Sequence, residues 1–112
     1  MEENNIEENT LNLGDKIRLS GFQEEEGSTM VIVKKMVGNY VRRIMEEHSE
    51  FQDITITLKK LHQHEGKGKK EGGKNELHVR VNAGKLIASE VVEFNLFIGL
   101  DKAFKKVISA MT

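Results

Sequence analysis

Between Ile17 and Met111 the apolar residues switch their spacing along the chain, and each switch marks a change of element. Ile17 and Leu19 alternate with Lys16, Arg18 and Ser20, which places apolar and polar groups on opposite faces of a strand over Gly14 to Ser20. Val33, Met36, Val37, Tyr40, Val41, Ile44 and Met45 then recur at three- and four-residue spacing, the signature of a helix with one buried face. Alternation returns at Ile54, Ile56 and Leu58, and again at Leu77, Val79 and Val81. Leu96, Phe97, Leu100, Phe104, Val107, Ile108 and Met111 close the chain with a second helical stripe. No proline interrupts any of these patterns.

The boundaries follow from local chemistry. Ser28 or Thr29 offers a hydroxyl to cap a first helix that runs to about His48, and His48 complements the dipole at its end. Gly38 inside that helix costs roughly 1 kcal/mol relative to Ala, which a close helix–sheet contact would explain. The second strand spans Phe51 to about His62, with a bulge expected near Lys59 and Lys60 because Leu61 falls out of phase. Glu65 to Asn75 is a Gly/Lys-rich connection. Glu76 to Asn82 forms the third strand and Ala83-Gly84 turns it. In the fourth strand, Lys85 to about Val92, Leu86 and Ala88 are the expected inward pair. Ile87, Ser89 and Val91 would then lie outside. Two apolar groups on an outer face point to a weak homodimer through the sheet. Asn95 caps the last helix.

The predicted fold is α+β: a β-α-β-β-β-α two-layer sandwich, with a four-stranded sheet and both helices on one face. The last three strands form an antiparallel meander, and the helical connection after the first suggests a parallel pairing, or at least a crossover in one sheet. Residues 1–12 read as a disordered acidic leader and residues 13–112 as one domain, a size that buries a real core.

Absent chemistry excludes several functions. The chain has no cysteine, so it has no disulfide, thiolate metal site or cysteine nucleophile. It shows no phosphate-binding loop, nucleophile elbow or paired carboxylates in an apolar stretch, and is read as a non-enzyme without a cofactor. His62-x-His64 is a metal-like pair without a fixed third ligand, and no metal centre is expected. The N-terminus lacks a secretory signal, and no apolar run approaches the roughly 20 residues that span a bilayer, so the reading is a soluble cytoplasmic protein.

The charges are segregated although they sum to −1. From Gly27 to Thr112 there are 15 Lys and Arg against 10 Asp and Glu, a net of +5. Lys35, Arg42 and Arg43, with Lys34 at their margin, form one helical ridge. Lys102, Lys105 and Lys106 form another at i, i+3 and i+4. Two ridges side by side could track phosphates, each contact releasing counterions. Lys67, Lys69 and Lys70 of the Gly/Lys segment, with Arg80 and Lys85 of the hairpin, complete the candidate set. Tyr40 and most of the five Phe fall on core faces, which favours backbone and shape recognition over base stacking.

The run Glu76-Leu-His-Val-Arg-Val-Asn-Ala-Gly-Lys-Leu-Ile-Ala-Ser89, read through Asn95 into Leu100-Asp-Lys-Ala-Phe-Lys-Lys-Val107, resembles the ribosome hibernation promoting factor and protein Y family. Leu77, His78, Val79, Gly84, Ala88, Ser89, Leu100, Asp101 and Lys102 stand at places similar to that family's strand–turn–strand–helix pattern. Ile17 to Gly21 and Ile54 to Lys59 look like its first two strands. The resemblance implies a short-form, non-enzymatic factor. Such a factor occupies the RNA-lined channel of the small ribosomal subunit in resting cells and blocks translation through basic side chains on its two helices and nearby loops. The acidic leader, the long Lys/Gly connection and the end after the last helix depart from the family's pattern. Two other readings stand beside it. A double-stranded-RNA-binding module shares the meander and last helix but lacks the strand at Ile17 to Leu19. A dimerising interaction domain without nucleic acid would pair through the outer sheet face or an edge strand, and exposed Ile87 and Val91 would favour it.

Overall fold

The computed structural model describes residues 10–61 and 73–112. In chain order the elements are β1 (Thr10–Asn12), β2 (Ile17–Ser20), α1 (Gly27–Glu47), β3 (Asp53–Leu61), β4 (Lys74–Asn82), β5 (Leu86–Glu93) and α2 (Leu96–Met111). The five strands lie in sequence order in one sheet. β2 pairs in parallel with β3, and every other pairing is antiparallel. The α+β architecture is as expected, with one strand more than the four predicted.

The extra strand falls inside the segment read as leader. Leu13 donates its N–H to the Ile17 carbonyl at 2.8 Å, and Gly14 takes φ 85° to close the turn. Thr10 is then brought opposite Ser20. Alternation does not announce a strand that adds backbone hydrogen bonds to a free edge while burying little, and Leu11 remains 39% exposed.

The inner face of the sheet meets both helices. Leu19, Ile54, Ile56, Leu58, Leu77, Val79 and Val81 are buried against Val33, Val37, Val41 and Ile44 of α1 and Leu100, Ala103, Phe104, Val107 and Ile108 of α2. Full burial of such side chains stabilises by roughly 1.5–3 kcal/mol each. Phe22, Phe51 and Ala83 join this core from the connections. Met45, placed by its spacing in the α1 stripe, is instead 46% exposed near the end of the helix.

Three local expectations change. Helix α1 starts two or three residues early: Glu26 is its N-cap without a side-chain bond, and Ser28 and Thr29 lie within its first turn. The β3–β4 ladder runs without a break from Asp53↔Asn82 to Leu61↔Lys74, so there is no bulge at Lys59 and Lys60. Lys60 occupies an inner position where the core has ended, and it pairs with Glu25 at 2.9 Å. The phase of β5 is the reverse of that expected. The hairpin sets Leu86 opposite Asn82, so Ile87, Ser89 and Val91 fall opposite Val81, Val79 and Leu77 on the core side. Leu86 and Val92 are the exposed apolar residues, at 58% and 45%. Because side chains alternate, a one-residue choice of register inverts the whole strand.

The helices differ in how closely they approach the sheet. At Gly99 of α2 an added Cβ would stand 2.7 Å from Leu77 Cδ1 and 3.1 Å from Glu93 Cβ. At Gly38 of α1 it would meet nothing within 4 Å, so that glycine marks no close contact. The backbone comes closest at Gly21, where φ is 87° and a Cβ would lie 2.1 Å from the Leu58 carbonyl oxygen. Gly38→Ala is therefore expected to stabilise the fold by about 1 kcal/mol. Gly21→Ala should cost more than about 1 kcal/mol, since strain and overlap add. Urea denaturation of the two variants checks both signs.

Candidate nucleic-acid interface

The two helices touch through an aromatic and a charged contact. Tyr40 of α1 stacks on Phe104 of α2, with ring centroids 4.7 Å apart and planes 6° from parallel. The Tyr40 hydroxyl donates to Asp101 Oδ1, one turn before Phe104. Burial first, and then this hydrogen bond, push the Tyr40 hydroxyl up to about 12, while Arg43 opposes the shift. Asp101 is held below the usual carboxylate range, first by the tyrosine hydrogen bond and then by Lys105, whose Nζ is 3.1 Å from its other oxygen.

This contact decides where the basic groups stand. Lys35, Arg42 and Arg43 are exposed on α1, and among the described residues none of them makes a hydrogen bond or ion pair. Lys34 turns to the opposite flank, where it lines a cleft with Leu11, Leu19, Phe22, Gln23, Glu25 and Met30.

The lysines of α2 are engaged. Lys102 Nζ lies 2.5 Å from Glu93 Oε2, Lys105 pairs with Asp101, and Lys106 donates to the Glu90 carbonyl at 3.0 Å. Glu90 and Glu93 belong to the edge strand β5, so Lys102 and Lys106 lean over that edge and away from α1. They line a shallow cleft there with Ala88, Ser89 and Val91. Two continuous parallel ridges are therefore not formed. A free cationic ridge lies on α1, and a second group of lysines with partners lies on the far side of α2.

Arg80 stands on the outer face of the sheet in the cross-strand row Arg18–Thr55–Arg80–Ala88, and Lys85 lies in the exposed hairpin turn. Neither shares the helical face. Lys67, Lys69 and Lys70, like His62 and His64, lie outside the described residues. Arg18 was missed because a lone cation in a short strand carries no pattern of its own. The Tyr40–Asp101 contact was also missed. Its partners are 61 residues apart, and Tyr40 reads in sequence as one more core residue.

Around this site the local structure is well secured. Asn95 accepts the Ile98 N–H at 3.0 Å as the α2 cap. Buried Asn75 donates to the Phe94 carbonyl at 2.7 Å, and Ser89 donates to the Ala103 carbonyl at 2.8 Å. These bonds hold α2 to β4 and β5 and give buried polar groups partners. Phe94 is 63% exposed beneath the Lys74 ammonium, 5.2 Å from its ring centroid, an exception to the interior placement of the other aromatic rings. No helix among the described residues is long and apolar enough to cross a membrane. No family model, curated protein or solved structure matches the chain.

The Tyr40–Asp101 bond links stability to pH at both ends. A lowered Asp101 contributes stability above the ordinary carboxylate range that is lost as pH falls through its folded value. A raised Tyr40 contributes stability below about pH 10 that is lost as pH rises towards 12. Tyr40→Phe keeps the ring stack and removes the bond. It should lower stability at pH 7 by about 1 kcal/mol, and its stability should change less than wild type at both extremes in denaturant titrations across pH.

Proposed function

We propose that this protein is a ribosome-binding hibernation factor of the cytoplasm that occupies the RNA-lined channel of the small subunit and blocks translation without catalysis. The observation that carries this reading is the α1 ridge of Lys35, Arg42 and Arg43, exposed and without ion-pair partners among the described residues. Cations already neutralised by a neighbouring carboxylate give up that interaction before they meet phosphate, whereas free ones do not. The reading is supported by the order β2, α1, β3, β4, β5, α2, in which β2 pairs in parallel with β3, beside the additional edge strand β1. Strand β2 argues against a double-stranded-RNA-binding module, which has no place for it. Backbone recognition fits the ridge, because Tyr40 and Phe104 are stacked between the helices and not offered to bases.

The dimerising reading loses Ile87 and Val91, which face the core, while Leu61, Leu86 and Val92 are exposed on the outer face.

Ribosome co-sedimentation in low salt tests the proposal. The protein should travel with the small subunit. Lys35→Glu and Arg42→Glu should each weaken binding several-fold and lower the dependence on salt by about one counterion per lost contact. Lys102→Glu should have less effect, since Glu93 already holds that ammonium. Protein that stays at the top of the gradient, or an Arg42→Glu variant that binds as wild type, would sink the proposal.

A further inference from the structure

The outer face of the sheet holds a constellation unrelated to the α1 ridge. Glu76 and His78 are two residues apart on β4 and so project from the same face. Glu90 lies on β5 directly opposite His78. One imidazole nitrogen and one oxygen from each carboxyl group all lie within 4.8 Å of one another. His78 Nε2 is 3.0 Å from Glu76 Oε2.

The group combines an imidazole with two carboxylates. Two ionised carboxylates with oxygens within 4.8 Å of one another repel, and a cation between them relieves that repulsion. Among the described residues no lysine or arginine forms an ion pair with either one. Lys106 reaches the backbone carbonyl of Glu90 and not its side chain. Lys59, opposite Glu76 in the ladder, acts on it only across space. Two of the three donors are held in place, while Glu90 is exposed on the edge strand β5. Strand β4 is hydrogen-bonded on both edges, and the side chains of His78 and Glu76 are only 32% and 19% exposed.

The donor chemistry narrows the ligand. Zinc binds imidazole nitrogen and carboxylate oxygen at about 2.0–2.2 Å, and tetrahedral geometry then separates donors by about 3.3–3.6 Å. Donors that already lie within 4.8 Å of one another are near that spacing. Calcium wants six to eight oxygens, and soft copper(I) wants sulfur. One nitrogen and two carboxylates suit a borderline divalent ion. We propose that Glu76, His78 and Glu90 form a divalent transition-metal site on the outer sheet face, taking zinc through three protein ligands and leaving a fourth position to water. Two carboxylates balance the charge of the ion, and the ion removes their mutual repulsion. The site is independent of the ribosomal reading.

Calorimetric titration of the untagged, full-length protein with zinc chloride tests this assignment. Wild type should bind one zinc per chain. Glu90→Gln and His78→Gln should each weaken binding at least tenfold, and the His62→Ala/His64→Ala double variant should bind as wild type. Zinc should raise the melting temperature of wild type but not of Glu90→Gln. The metal-free Glu90→Gln protein should melt no lower than wild type, since it lacks one of two like charges, which separates lost ligation from lost fold. Absence of zinc binding by wild type would overturn the assignment. So would binding unchanged in both Gln variants, or binding lost only in the His62/His64 variant.

Discussion

Strand β4 is the constraint on which the rest of the structure depends. It is hydrogen-bonded to β3 along nine residue pairs and to β5 along eight, and its inner residues Leu77, Val79 and Val81 are fully buried. One set of backbone bonds thus fixes two registers at once. The first register aligns Ile54, Ile56 and Leu58 with the core. The second turns Ile87, Ser89 and Val91 inward and leaves Leu86, Ala88, Glu90 and Val92 outside. A slip of one residue on either side would expose an entire apolar row, at a cost of several kcal/mol. The outer side chains of β4 inherit the same precision, which is why Glu76, His78 and Glu90 can converge.

The helices show how residue size sets an interface. Gly99 and Ala103 let α2 settle closely against β4 and β5, and from that position Lys102 and Lys106 reach the β5 edge. Helix α1 presents Val33, Val37, Val41 and Ile44 to the sheet, with Met30 and Met36 at the margins, and its outer cations have no strand edge beside them. The Tyr40–Phe104 stack and the Tyr40–Asp101 bond then join the helices and occupy the space between the two basic groups. Similar charges in the linear pattern thus acquire different roles. The cations of α1 remain free, whereas the lysines of α2 mostly secure its own packing. The two faces of the domain are chemically distinct, one with an open cationic ridge and one with a mixed row of arginine, threonine, imidazole and carboxylate.

Much of the fold was legible because hydrophobic period is a local property. The two helices, the four principal strands, the Asn95 cap and the helical crossover could all be read from spacing and turn chemistry. Less of the site was legible. Charge spacing put Lys102, Lys105 and Lys106 on one helical surface but could not show that Glu93, Asp101 and the Glu90 carbonyl were waiting for them. Arg80 and Lys85 read as basic residues of a hairpin, and only the sheet shows that they stand away from the helical ridge. Thr10 to Asn12 read as polar leader because an edge strand needs backbone partners more than apolar side chains.

By itself, then, the sequence determined both helices and four of the five strands, and most of the side chains of α1, β3, β4 and α2 that form the core. Periodicity carries that information within a few residues. Tertiary structure decided the phase of β5, where both Leu86-Ile87 and Val91-Val92 offer an apolar residue to either face and only the hairpin register chooses between them. It also decided which cations are free and which carboxylates meet. Those outcomes depend on neighbours up to 61 residues away in the chain, brought together by packing that no local pattern encodes.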